Sequence, residues 1–145
     1  MTNSYSIKPH FSFWIIAVIA LLWNAMGCFQ WFIEYGYYTN PASREALPEA
    51  MQPLYDDQSI GIYVVFAIAV VTGLVGCIGL LLRKSWSESL FLVSLVSVII
   101  LHGITLMSYV RELGAGAMVM PILVVLFSAF LLYYAKKNKA LGILT

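Results

Sequence analysis

Residues 62–82 read IYVVFAIAVVTGLVGCIGLLL and run straight into Arg83-Lys84. The stretch contains no Asp, Glu, Lys or Arg, and at about 1.5 Å rise per residue a helix of this length crosses a hydrocarbon core of about 30 Å. Three more uncharged stretches of comparable length occur at residues 11–33, 89–110 and 117–135. The chain therefore reads as an all-α membrane protein, a four-transmembrane-helix antiparallel bundle. With 145 residues, 61% of them hydrophobic and 10% charged, and a mean hydropathy of +0.88, it holds a single membrane domain over residues 1–145. The first span is too long for the apolar region of a signal peptide and lacks a small-residue cleavage site, so it reads as a retained helix.

Charge sorts between the two ends of the spans. With a cytoplasmic amino terminus, Lys8, Arg83, Lys84, Lys136, Lys137 and Lys139 lie inside, and only Arg44 and Arg111 lie outside. Of the acidic residues, Glu34, Glu45, Glu49, Asp56, Asp57 and Glu112 fall outside, leaving Glu88 inside. Basic residues mark cytoplasmic segments, so both termini are expected in the cytoplasm. Trp31, Tyr35, Tyr38 and Tyr63 fall near the outer boundary, and Trp14, Trp86 and Tyr134 near the inner one, as interfacial aromatics do.

The connection at residues 34–61 is the one sizeable outer loop. Asn40-Pro41 forms an N-cap and first-position pair for a short helix over residues 41–46, while Pro48 and Pro53 forbid a long one. Leu47, Met51, Leu54 and Tyr55 follow helical spacing. They predict a segment lying on the membrane or across the bundle mouth, read as an amphipathic connector in preference to a lid. Pro121 predicts either a kink in the fourth span or a helix that begins near Met120.

Small residues dominate the second span, with Ala69, Gly73 and Cys77 at four-residue spacing and Gly76 beside them. Such stripes let helix backbones approach closely, within one bundle or between copies. Cys28 and Cys77 lie at different depths, so they read as packing residues and not as a disulfide.

Polar side chains within the spans are few. Asn24 and His102 fall at about the same depth, roughly 20 Å from the inner boundary. An ionisable side chain at membrane depth marks a candidate functional site. Together with Gln30, Thr105 and Tyr109 they form a candidate polar site in the outer half. The plain alternative for His102 is a neutral ring bonded to Asn24, a hydroxyl or a carbonyl. No nucleotide loop, paired haem histidines, metal-ligand cluster or Ser–His–Asp set can be assembled, so no cofactor, no metal and no enzyme activity is expected.

Trp23-Asn24-Ala25-Met26-Gly27, Leu47-Pro48-Glu49-Ala50-Met51, Phe66-Ala67-Ile68-Ala69-Val70, Gly76-Cys77, Leu82-Arg83-Lys84, Met120-Pro121-Ile122 and the tail at residues 136–144 resemble a group of small bacterial inner-membrane proteins. Some members of that group carry the label of sugar transporter. The resemblance implies a multi-pass protein of the bacterial inner membrane. Two readings of its role follow. One is an accessory, assembly or regulatory bundle; the other is an oligomeric permease or channel for small neutral polar solutes such as sugars. The expected partners are the lipid bilayer, a second copy or another membrane protein, and not nucleic acid.

Overall fold

The computed structural model describes residues 7–56 and 58–145; Asp57 and the side chain of Tyr109 lie outside the described part. Among the described residues, four helices are long and apolar enough to cross a membrane. Helix α1 covers Phe11–Thr39, α4 Ile60–Leu81, α5 Ser87–Leu113 and α6 Val119–Ala140, with short helices α2, Pro41–Glu45, and α3, Pro53–Asp56, in the long connection. The chain is an all-α, multi-pass membrane bundle.

Local chemistry sets the helix ends. Asn40 closes α1 and caps α2, its Oδ1 accepting the Ala42 N–H at 3.1 Å, with Pro41 in the first turn. Helix α1 outruns its uncharged stretch by about six residues, so Glu34 belongs to the helix and not to the loop expected from residue 34. Aromatic packing carries this extension. Trp31 stacks on Tyr35 at 5.1 Å, Tyr38 lies 4.6 Å from Tyr63, and Trp31 Nε1 donates to the Tyr63 carbonyl at 2.8 Å.

Pro121 is the third residue of α6, where its missing N–H is one that the first turn leaves without an intrahelical partner. Of the two outcomes expected at Pro121, the structure takes the helix that begins near Met120, at Val119, and not a kink in the middle of the span. Gly114 turns the chain at φ 79°, and a 3-10 turn over Ala115–Met118 feeds α6.

Helices α4 and α5 pack most closely, with α1 against α4 and α6 against α5. Helices α1 and α6, at the two ends of this row, meet through rings: Trp23 with Phe127 at 4.9 Å and Phe13 with Tyr134 at 6.1 Å. The small-residue stripe of α4 is an internal surface. A Cβ at Gly73 would run into Asn24, one at Gly76 would come within 2.9 Å of Phe91, and one at Gly79 would run into Trp86. Val18, Leu22, Ile68, Val71, Ile100 and Leu126 point outward. Lipid stabilises such apolar exteriors.

The end of the bundle that carries the residue 82–86 hairpin is tied by Arg83. Helix α4 stops in a Schellman motif, with the Lys84 N–H on the Gly79 carbonyl at 2.8 Å and the Arg83 N–H on that of Leu80 at 3.0 Å. The motif needs a left-handed residue, and here it is Arg83, φ 58°, in place of the usual glycine. Its guanidinium donates to the Ile143 carbonyl at 3.0 Å and the Ile7 carbonyl at 2.7 Å, while its own carbonyl accepts the Thr145 N–H at 2.8 Å. One side chain thus joins the segment before α1 to the tail after α6.

Candidate functional site

The two halves of the bundle are filled differently. Toward the hairpin end, Phe13, Ala17, Ala20, Cys77, Leu80, Phe91, Leu131 and Ala135 form a continuous buried core, closed by Ile143 and Leu144 of the tail. Toward the loop end, small or polar positions, Asn24 and Gly27 on α1, Ala69 on α4, Ser94 on α5, Ala117 and Ser128 near and on α6, alternate with larger apolar ones such as Phe66, Val98 and Leu101. These side chains cannot fill the space between four helices. A cavity of about 560 Å³ results, lined on all four spans. It ends on Phe91 and Leu131, which are both about 2% exposed and both part of the solid core.

Asn24 stands at the border of the two halves. Its Nδ2 donates to the Ala20 carbonyl at 2.9 Å and to Cys77 Sγ at 3.3 Å, and its carboxamide occupies the notch left by Gly73. Beside it, Ser94 Oγ donates across the helix interface to the Ala69 carbonyl at 2.8 Å. These bonds satisfy the donors of both side chains, as buried donors require.

His102 lines the same cavity from α5 together with Pro121 of α6. It is half-buried and forms no hydrogen bond among the described residues, so the neutral ring bonded to Asn24, a hydroxyl or a carbonyl is not what the structure contains. Asn24 and His102 both line the cavity with no hydrogen bond between them. Thr105 also lines it, but its hydroxyl is spent on the Leu101 carbonyl at 2.9 Å within its own helix. Gln30 lies on the loop-end wall. Tyr109, the remaining member of the expected site, has its side chain outside the described part. The packing residues Ala69, Gly73, Gly76 and Cys77 are all buried in the α4 interfaces.

The structure adds a residue that reading the sequence left in the loop. Glu34 lines the loop-end mouth of the cavity. Its Oε1 accepts from Gln30 Nε2 at 3.0 Å, and its Oε2 accepts from the Tyr55 hydroxyl at 2.9 Å. The four-residue spacing of Gln30 and Glu34 signals the first of these bonds once α1 is known to continue past residue 33. Nothing local signals the second, which spans 21 positions. Through it α3, with Leu54 and Tyr55 each about 4% exposed, is held down across the bundle mouth beside α5.

Met26 and Met120 line the cavity too, yet they are 70% and 59% exposed. Wall residues this exposed stand at an opening, and these two belong to α1 and α6, which are not among the closely packed helix pairs. The cavity thus opens sideways between them, above the Trp23–Phe127 contact. No three His, Cys, Asp or Glu side chains group as metal ligands among the described residues. No family model, no curated protein and no solved structure matches the chain.

Proposed function

We propose that this protein is a non-catalytic, accessory bundle of the bacterial inner membrane that holds a small, largely apolar molecule between α1, α4, α5 and α6. In this reading the termini and the hairpin are cytoplasmic and the long connection faces outward. The carrying observation is the contrast between a solid hairpin-end half and a hollow loop-end half. Protein interiors pack to crystal density with few voids larger than a water molecule, whereas ligand cavities span about 300–1,000 Å³. The 560 Å³ space falls in the second class. Its wall is mostly apolar and aromatic, with a few polar groups, as small-molecule sites are. The sideways opening between Met26 and Met120 supports access from the bilayer, and methionine adapts to varied ligand shapes.

The reading is tested with a neutral probe. A dodecanol brominated at the chain end, titrated into protein in lipid nanodiscs, is expected to quench Trp23 fluorescence saturably. That component should vanish in Trp23→Phe and weaken in Val124→Phe, which narrows the cavity. Purely linear quenching, unchanged in both variants, means partition into lipid only and rejects the reading.

A permease for neutral polar solutes is the second reading, favoured by the convergence of Asn24, Gln30, His102 and Thr105 on one cavity. It requires the packed hairpin-end core to open. Sugar uptake into proteoliposomes, above that of protein-free vesicles, would support it.

A further inference from the structure

Resting on that reading, we propose that the cavity takes a single-chain amphiphile with an ammonium head, the head against Glu34 and the chain directed toward Trp23. The first argument is charge. The cavity wall holds a carboxylate, Glu34, and an imidazole, His102, but no Lys and no Arg. The ion pairs among the described residues lie elsewhere, at Arg44–Asp56, Arg111–Glu112 and Lys139–Glu88. Glu34 is held by two neutral donors, Gln30 and Tyr55, which orient the carboxylate without neutralising its charge. A carboxylate so placed favours a cation and disfavours an anion.

The second argument is depth. Glu34 lies 11 residues beyond Trp23 on one helix, which is about 17 Å along the axis. Its level is that of the interfacial aromatic cluster of Trp31, Tyr35, Tyr38 and Tyr63. An ammonium group there stays near the membrane surface, where charge is tolerated, while a chain of about twelve carbons reaches the apolar floor.

The third argument is size and access. The volume of about 560 Å³ suits one chain or a compact ring system, and the opening between Met26 and Met120 faces the region where amphiphiles dissolve. A sugar would leave the apolar floor unfilled. A fatty acid or alkyl sulfate would bring its anion to Glu34.

The test compares 12-bromododecyltrimethylammonium, 12-bromododecanol and 12-bromododecyl sulfate, read by saturable Trp23 quenching in the same nanodiscs. The wild type should bind the ammonium probe about tenfold more tightly than the alcohol, the scale of one partly screened Coulombic contact, since a trimethylammonium has no N–H to donate. Glu34→Gln, which keeps the shape of the side chain, should bring the two probes to about equal affinity. Comparing each probe between wild type and variant cancels differences in partition into lipid. Equal wild-type affinity for ammonium and alcohol, or tighter binding of the sulfate, overturns the proposal and leaves the cavity reading intact. So does an ammonium preference that survives in Glu34→Gln. Absence of saturable quenching by all three probes defeats the cavity reading itself. Because a wild-type ranking without an ammonium preference already rejects the proposal, that outcome does not depend on the variant folding.

Discussion

The carboxamide of Asn24 occupies the space that a side chain at Gly73 would need. A Cβ built there would overlap Oδ1 and lie 3.2 Å from Cγ, with Ser94 Oγ at 3.1 Å on the other flank. This contact joins α1, α4 and α5 at the floor of the cavity, and it makes the identity of residue 73 depend on that of residue 24.

Gly73→Leu should destabilise the bundle by about 1–3 kcal/mol, the range for overpacking a filled interior. Gly103→Ala is the control, because nothing lies within 4 Å of a Cβ at that position. It should be neutral or raise stability slightly through helix propensity. Thermal unfolding in one detergent checks both. Equal melting temperatures for Gly73→Leu and the wild type would show that α4 meets α1 less closely than described.

Asn24→Leu should lower stability by about 1–3 kcal/mol, since it removes the donor to Ala20 and Cys77 and forces a branched side chain into the Gly73 notch. His102→Leu, which breaks no described hydrogen bond, should change stability by less than about 0.5 kcal/mol. The two effects should add in the double variant within about 0.5 kcal/mol. Partial recovery in the double variant would mean that the two side chains bond to each other after all.

Arg83 combines a backbone role and a side-chain role that substitution separates. Arg83→Ala loses the guanidinium bonds to Ile7 and Ile143 and keeps an L-residue at φ 58°. Arg83→Gly loses the same bonds but relieves the left-handed backbone, worth about 1–2 kcal/mol. Both variants should expose residues 141–145 to protease, with Arg83→Gly the more heat-stable of the two. A tail equally protected in all three proteins would remove the tying role of Arg83.

Orientation is checked by cysteine introduced singly within residues 42–50, in a background where Cys28 and Cys77 are replaced by alanine. A membrane-impermeant maleimide should label these positions in intact cells and label introduced cysteines at residues 83–86 only after permeabilisation. The reverse pattern would invert the bundle.

Much of the architecture was legible in the residues. The four uncharged stretches each had to become a helix, because hydrocarbon offers no partner for an unpaired backbone N–H or carbonyl. Asn40-Pro41 announced α2, since both the cap and the proline act within a few residues. The stripe of Ala69, Gly73, Gly76 and Cys77 announced close contact, because a missing side chain is a local property. What lies on either side of each contact was not local. That Gly73 faces Asn24, Gly76 faces Phe91 and Gly79 faces Trp86 follows from how the four helices are rotated and shifted, which no single helix specifies. The cavity is of the same kind. It exists because small positions such as Gly27, Ala69 and Ala117, on different helices, leave a gap between the larger apolar residues of the wall, and only the assembly of the helices makes that gap a volume. Glu34 shows the reason most clearly. Its sequence neighbours place it at the membrane surface, whereas Tyr55, 21 residues on, turns it toward the mouth of the bundle.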